Sequence, residues 1–210
     1  SAFSSPVAAR LAGVDQLIVQ TRTTLAGVSP EDGRVLWQQP IKAFRGMNIL
    51  TPVVFGDTIF TTAYGGKAHQ FRIRPEGAGL VAEEAGTARA EGYMSTPVVR
   101  DGHGYLHLRN QRVTCLDLNT GFSTWTSEEK FGKYWSLILN QDRILALDER
   151  GWLYLLEANP RQLEILSRRR VSELESWAHL ALDGPDLYIR DLQGLTAYRW
   201  ENLNPTNGQP

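Results

Sequence analysis

The sequence is poor in the features that mark catalytic or metal-dependent proteins. Cys115 is its one cysteine, which excludes an internal disulfide and any Cys-x-x-Cys metal or redox motif and leaves the compartment open. Excess charge of either sign is missing too. With 22 Lys and Arg against 23 Asp and Glu, the formal net charge is −1, so no broad footprint for nucleic acid or an anionic membrane is expected. No apolar run approaches the ~18 residues of a membrane span. Helical periodicity is equally scarce, the one expected exception being a single turn at Val171-Ser172-Glu173-Leu174-Glu175.

Catalytic motifs are absent as well. No Gly-x-Ser-x-Gly occurs, and Gly65-Gly66-Lys67 lacks the remainder of a phosphate loop. His103 and His107 are the nearest approach to a metal pair. On a strand they stand about 13 Å apart, too far for one ion, so surface or half-buried structural histidines are expected. His69 and His179 lie without Cys or His neighbours. Arg168-Arg169-Arg170 is the one basic run and reads as a solvated strand end. No catalytic residue, cofactor site or metal site is assigned.

What the chain does have is six Trp, seven Tyr, seven Phe and nineteen Gly in 210 residues, a composition of strands and tight turns in one domain. It also repeats. Ser5-Pro6-Val7, Thr51-Pro52-Val53, Thr96-Pro97-Val98, Ser136-Leu137-Ile138 and Ala178-His179-Leu180 each lead into an apolar run, and successive copies are 46, 45, 40 and 42 residues apart. Periods of ~40–50 residues containing several short strands suggest propeller blades.

The third copy shows the unit. Pro97-Val98-Val99 meets the Asp101-Gly102 turn, Tyr105–Leu108 runs to a turn near Asn110, Val113–Asp117 follows, and Asn119-Thr120-Gly121 turns into Phe122–Trp125. That is a four-stranded meander. The expected fold is all-β, a propeller of four-stranded antiparallel blades with units at 1–43, 44–90, 91–131, 132–174 and 175–202, and a frayed tail at 203–210. Trp177 through Trp200 accommodates at most three strands, so the chain is expected to be part of a larger propeller of seven or eight blades, its open side covered by further blades or a second copy.

The stretch Cys115-Leu116-Asp117-Leu118-Asn119-Thr120-Gly121-Phe122-Ser123-Thr124-Trp125 resembles the Ala-x-Asp-x-x-Thr-Gly-x-x-x-Trp signature of the quinoprotein (PQQ-like) β-propeller repeat. Gly27 to Trp37, with Gly33, is a weaker copy 88 residues earlier, tryptophan to tryptophan. The resemblance implies that Trp37 and Trp125 dock between blades and that Gly33 and Gly121 turn the chain. It also implies an extracytoplasmic, periplasmic or secreted, bacterial protein. The family's quinone-dependent dehydrogenases carry adjacent cysteines and calcium ligands that have no counterpart here. The chain is more similar to the non-enzymatic branch, which includes the propeller subunit of the outer-membrane protein assembly machinery.

In such a meander, the turns between second and third strands and the links between blades emerge at one end. There the sequence places Arg45, Tyr64, Lys67, Tyr93, Arg109, Tyr134, Trp135 and Trp177, with Asn48, Asn110, Lys133 and Asp191. Two readings stay open: a binding rim of aromatics interleaved with cations, or core aromatics packed near the axis. The expected function is a non-catalytic scaffold for a protein partner. A fragment of a quinone-dependent enzyme and a carbohydrate-binding propeller are the alternatives.

Overall fold

The computed structural model describes residues 3–200, whose nineteen strands form five antiparallel sheets. The first contains β1 (Val7–Leu11), β2 (Val14–Gln20), β3 (Thr24–Val28) and β4 (Val35–Pro40). The second contains β5 (Val53–Phe55), β6 (Thr58–Thr62), β7 (Ala68–Glu76) and β8 (Gly79–Ala88). In the third are β9 (Val98–Arg100), β10 (His103–His107), β11 (Val113–Asp117) and β12 (Ser123–Thr126). The fourth has β13 (Trp135–Asn140), β14 (Arg143–Asp148), β15 (Trp152–Glu157) and β16 (Glu164–Arg170). The fifth has β17 (Ala181–Asp183), β18 (Asp186–Arg190) and β19 (Leu195–Arg199). Strands pair in chain order within every sheet, so each is a meander and a propeller blade.

Turn chemistry follows the sequence. Ala12-Gly13 and Asp101-Gly102 both have positive φ at the two central positions, the geometry of a tight hairpin turn whose twist matches its strands. Each complete blade also carries one β-bulge, always where the third strand meets the fourth: at Gly27/Val28, Gln70/Phe71, Cys115/Leu116 and Leu155/Leu156. A bulge adds local twist between the two strands it joins.

Ser and Thr hydroxyls at the starts of blades two, three and four stitch neighbouring blades together. The Ser5 amide donates to Thr51 Oγ1 at 3.2 Å, and the Thr51 amide donates to Thr96 Oγ1 at 3.1 Å. Farther along, the Trp135 backbone amide donates to Ser95 Oγ at 3.0 Å and the Leu180 amide to Ser136 Oγ at 3.3 Å. Pro6, Pro52 and Pro97 follow these hydroxyl residues just ahead of the strands, where a missing N–H leaves no ladder bond unmade.

Side chains fill the spaces between sheets in four clusters. Ile18, Leu25, Trp37, Ile59 and Phe71 join blades one and two, and Phe60, Ala88, Leu106 and Leu116 join two and three. Tyr105, Cys115, Trp135 and Tyr154 join three and four, and Leu147, Leu153, Leu187 and Ile189 join four and five. Among the described residues, no cluster joins the fifth sheet to the first.

Two local expectations need correction. Val171–Glu175 is not helical. The Ser172 hydroxyl accepts the Leu174 amide at 3.0 Å and bonds Asp191 at 2.7 Å, so this segment's polar groups are satisfied without a helical ladder. The one helical element described is a 3₁₀ turn at Phe44–Gly46. His107 is wholly buried rather than at the surface or half-buried. The tail at 203–210 and the end of the last unit lie outside the described residues.

Candidate functional site

Five connections over the first three blades converge at one end of the sheets. Phe44 and Arg45 come from the link between β4 and β5, Tyr64 and Lys67 from the β6–β7 turn, Tyr93 from the β8–β9 link, and Arg109 from the β10–β11 turn. The β2–β3 turn adds Arg22. Tyr64 is the centre: its ring meets Phe44 edge-on at 5.7 Å and Tyr93 at 4.9 Å, and the Arg109 guanidinium lies 4.7 Å from its centroid. These are distances at which aromatic pairs and cation–π contacts attract beyond simple area burial. Phe44 remains 52% exposed, so the ladder opens to solvent at one side.

Backbone contacts brace the ladder. The Phe44 amide donates to the Tyr64 carbonyl at 2.7 Å. Glu91 Oε1 accepts from the Gly65 amide at 2.9 Å and from Arg109 at 3.0 Å, tying two turns together. That carboxylate and the neighbouring tyrosines raise the Arg109 pKa above its ordinary value. Gly65, at φ +69, cannot be replaced without strain, because an added Cβ would stand 2.8 Å from Phe44 Cβ. Arg45 sits in the left-handed region at φ 54, ψ 21, a conformation costing ~1–2 kcal/mol for a residue with a Cβ. Arg22 fixes it by donating to the Arg45 carbonyl at 3.0 Å.

The structure therefore brings Arg45, Tyr64, Lys67, Tyr93 and Arg109 to one neighbourhood. Tyr134 and Trp177 stack 6.2 Å apart over blades four and five, with Trp177 40% exposed. Burial pushes the Tyr134 hydroxyl up to about 12. Trp135 does not belong to the rim: it is fully buried, wedged against Phe131 at 4.5 Å, Tyr154 at 5.2 Å and His107 at 5.8 Å. The reason is alternation, since Trp135 is the first residue of β13 and the sheet directs it inward while its neighbour Tyr134 stays on the link. Phe44 and Glu91 were missed from sequence. Phe44 was legible as an aromatic ahead of Arg45-Gly46; Glu91 carried no signal until the turns were in place.

The docking positions have distinct surroundings. Trp37 is buried in the cluster between blades one and two and donates to Gln16 Oε1 at 2.6 Å, within its own blade. Trp125, half-buried, packs on the cluster between blades three and four and donates to the Asn159 carbonyl of blade four at 2.9 Å. Gly33 and Gly121 both have positive φ, +75 and +74. Among the described residues no three His, Cys, Asp or Glu side chains are grouped as metal ligands would be, and no helix is long and apolar enough to cross a membrane.

Residues 1–127 match the family described as outer membrane protein assembly factor BamB. The chain belongs to the BamB family. One curated BamB, from Moranella endobia (strain PCIT), is 25% identical over 140 residues, which is 62% of this chain and 34% of that protein. The crystal structure of BamB from Moraxella catarrhalis superimposes with a TM-score of 0.70 at 14% identity, covering 96% of this chain and 58% of that one. The β-propeller domain of Myceliophteria thermophila Cps50 (Swd1) gives a TM-score of 0.64 at 12% identity, with 88% of this chain and 66% of that one. These structural likenesses establish the propeller fold. This BamB-family chain spans about a third of the curated relative and a little over half of the Moraxella protein.

Proposed function

We propose that this chain is a non-catalytic propeller module that binds protein during outer-membrane protein assembly, on the periplasmic side, through the end of the blades that carries the Phe44, Tyr64 and Tyr93 ladder. Membership of the BamB family supports the process and the compartment. The observation that carries the binding face is the ladder itself. It is a set of aromatic rings braced by backbone contacts and left open to solvent at Phe44. Aromatic and arginine anchors on pre-set loops lose little entropy on binding and dominate the energetics of protein interfaces.

Photo-crosslinking tests it. A crosslinking amino acid at Phe44 or Tyr93 should capture a component of the outer-membrane assembly machinery in cells, whereas one at Val35, 58% exposed at the start of β4 toward the other end, should not. Equal capture from all three positions would discard this face as the binding site.

A further inference from the structure

The chain is nearly neutral, yet its charges are sorted by position. The five connections at the ladder end of blades one to three carry Arg22, Lys42, Arg45, Lys67, Arg89, Arg109 and Arg112 against a single carboxylate, Glu91. Glu91 is consumed by Arg109, and Arg112 is turned to the carbonyls of Ser127 and Glu128. Arg22, Lys42, Arg45, Lys67 and Arg89 form no ion pair among the described residues. At the same end of blades four and five, the links carry Glu128, Glu129, Glu149, Glu173, Glu175 and Asp191 against Lys130, Lys133 and Arg150. The opposite end is also acidic, with Glu31, Asp32, Asp57, Asp101 and Asp142 against Arg34 and Arg161. The cationic arc coincides with the aromatic ladder. Beside it, between the outer edges of blades two and three, lies a cleft of about 350 Å³ lined by Lys67, Arg89 and the hydroxyl residues Thr87, Thr120 and Ser123, with no carboxylate in its wall.

We infer that this arc is a docking surface for an acidic, aromatic-containing segment of polypeptide, a reading that rests on the protein-binding function proposed above. Five cations without carboxylate partners create a local positive potential that a protein of net charge −1 otherwise lacks, and such a patch attracts and orients an oppositely charged partner. The ladder supplies the uncharged part of the contact. Phe44, exposed and edge-on to Tyr64, offers an apolar ring to a partner aromatic or aliphatic side chain. Lys67 and Arg89, at the cleft, can each take a carboxylate beside Thr and Ser donors. A polypeptide fits better than a lipid surface, because Tyr64 and Tyr93 face each other and are braced by Arg109 rather than projecting outward as membrane-inserting wedges.

The test is fluorescence anisotropy with two labelled peptides, one alternating Glu with Phe and the other alternating Lys with Phe. The acidic peptide should bind, and rising salt should weaken it because the charges are exposed. Replacing both lysines, Lys42→Glu and Lys67→Glu, should lower its affinity by about tenfold or more. Glu31→Lys, at the acidic end, should leave it unchanged. Both lysines are exposed and unpaired, so the variant's thermal melt should match the parent's, separating lost binding from lost folding. Equal binding of the lysine peptide, or unchanged affinity in the double reversal, would overturn the inference. So would capture by phosphatidylglycerol vesicles without peptide binding. If the peptide fails while crosslinks from Phe44 and Tyr93 still reach the assembly machinery, the charge assignment falls and the protein-binding function stands.

Discussion

Trp37 and Trp125 hold the same place in their repeats, yet they anchor in different directions. Trp37 lies over Gly27, where an added Cβ would collide with its ring, and its N–H is taken by buried Gln16 of the same blade. Its contribution to the interface with blade two is packing alone. Trp125 is less buried and sends its N–H across to the Asn159 carbonyl of blade four. The signature residue is thus an aromatic plug first, and its hydrogen bond goes to whichever acceptor the local turn provides. The Gln side chain at position 16 fills that need in the first blade, and a β15–β16 turn carbonyl does so in the third.

The hardest strike at this comparison is Trp37→Ala. Truncating a buried Trp costs ~3–5 kcal/mol, and stranding Gln16 Oε1 without its donor adds ~1–3 kcal/mol, out of the ~5–15 kcal/mol that holds a domain together. Little folded protein should be recovered. Trp125→Ala should lose less, because the ring is only half-buried and the Asn159 carbonyl left behind has easier access to water. Urea midpoints of the two variants decide it, and coincident midpoints would mean that the two anchors do not differ.

The interface beside Trp125 should also respond to acid, and the one beside Trp37 should not. His107 is buried between blades three and four, with Nε2–H donating to the Gly132 carbonyl at 2.9 Å, Nδ1 facing the Ser95 hydroxyl at 3.4 Å, and Trp135 stacked on its ring. Burial pushes its pKa down to about 4, against an ordinary 6.5. Above pH 6.5 both folded and unfolded chains carry it neutral. Between 6.5 and 4 the unfolded chain binds a proton that the folded one refuses, so stability falls as pH falls, by about 3 kcal/mol in total. Below 4 this contribution levels off. Melts from pH 7.5 to 4.5 should show the loss, and His107→Gln should flatten that part of the profile. An unchanged slope would place the acid sensitivity elsewhere.

How far the sequence revealed this architecture depended on period. The meanders, the Trp and Gly positions and the loop-bearing end were legible because strand alternation and a ~40–50-residue repeat are written in single residues. The inward turn of Trp135 was not, since a residue at a link-to-strand junction changes face with a one-residue shift of the strand start. The Ser/Thr of the Ser/Thr-Pro-Val motif marked the register without disclosing that the Thr51 and Thr96 hydroxyls would each meet a neighbouring blade's amide. Charge sorting was hidden for another reason: net charge adds both ends of the blades, and only the alternation of chain direction assigns each cation to one of them.

The paired glycines give a finer test. Gly33 and Gly121 share a left-handed φ, but a Cβ on Gly33 would meet nothing within 4 Å, whereas one on Gly121 would stand 2.7 Å from the Thr87 carbonyl of blade two. Gly33→Ala should therefore cost ~1–2 kcal/mol, the left-handed penalty alone. Gly121→Ala should exceed it, because backbone must move in two blades at once. Equal losses in chemical denaturation would remove blade two from the account.

The smallest effect isolates the cross-blade hydrogen bond. Trp125→Phe keeps an aromatic ring in the interface but removes the donor to Asn159 together with part of the ring's volume, and because Trp125 is only half-buried it should cost about 1–2 kcal/mol. Trp37→Phe should cost more, since it orphans an acceptor on the wholly buried Gln16. Global stability is a blunt measure of so small a change; local opening is sharper. The Asn159 side chain accepts the Arg161 amide at 2.9 Å and donates to Glu164 at 3.0 Å, organising the β15–β16 turn around the residue that Trp125 holds. Freed from Trp125, that turn should open more often, and hydrogen exchange at the Arg161 amide should quicken in Trp125→Phe relative to Trp37→Phe. If Arg161 exchanges alike in both, the bond to Asn159 contributes nothing to the joining of the blades, and Trp125 acts by packing alone, as Trp37 does.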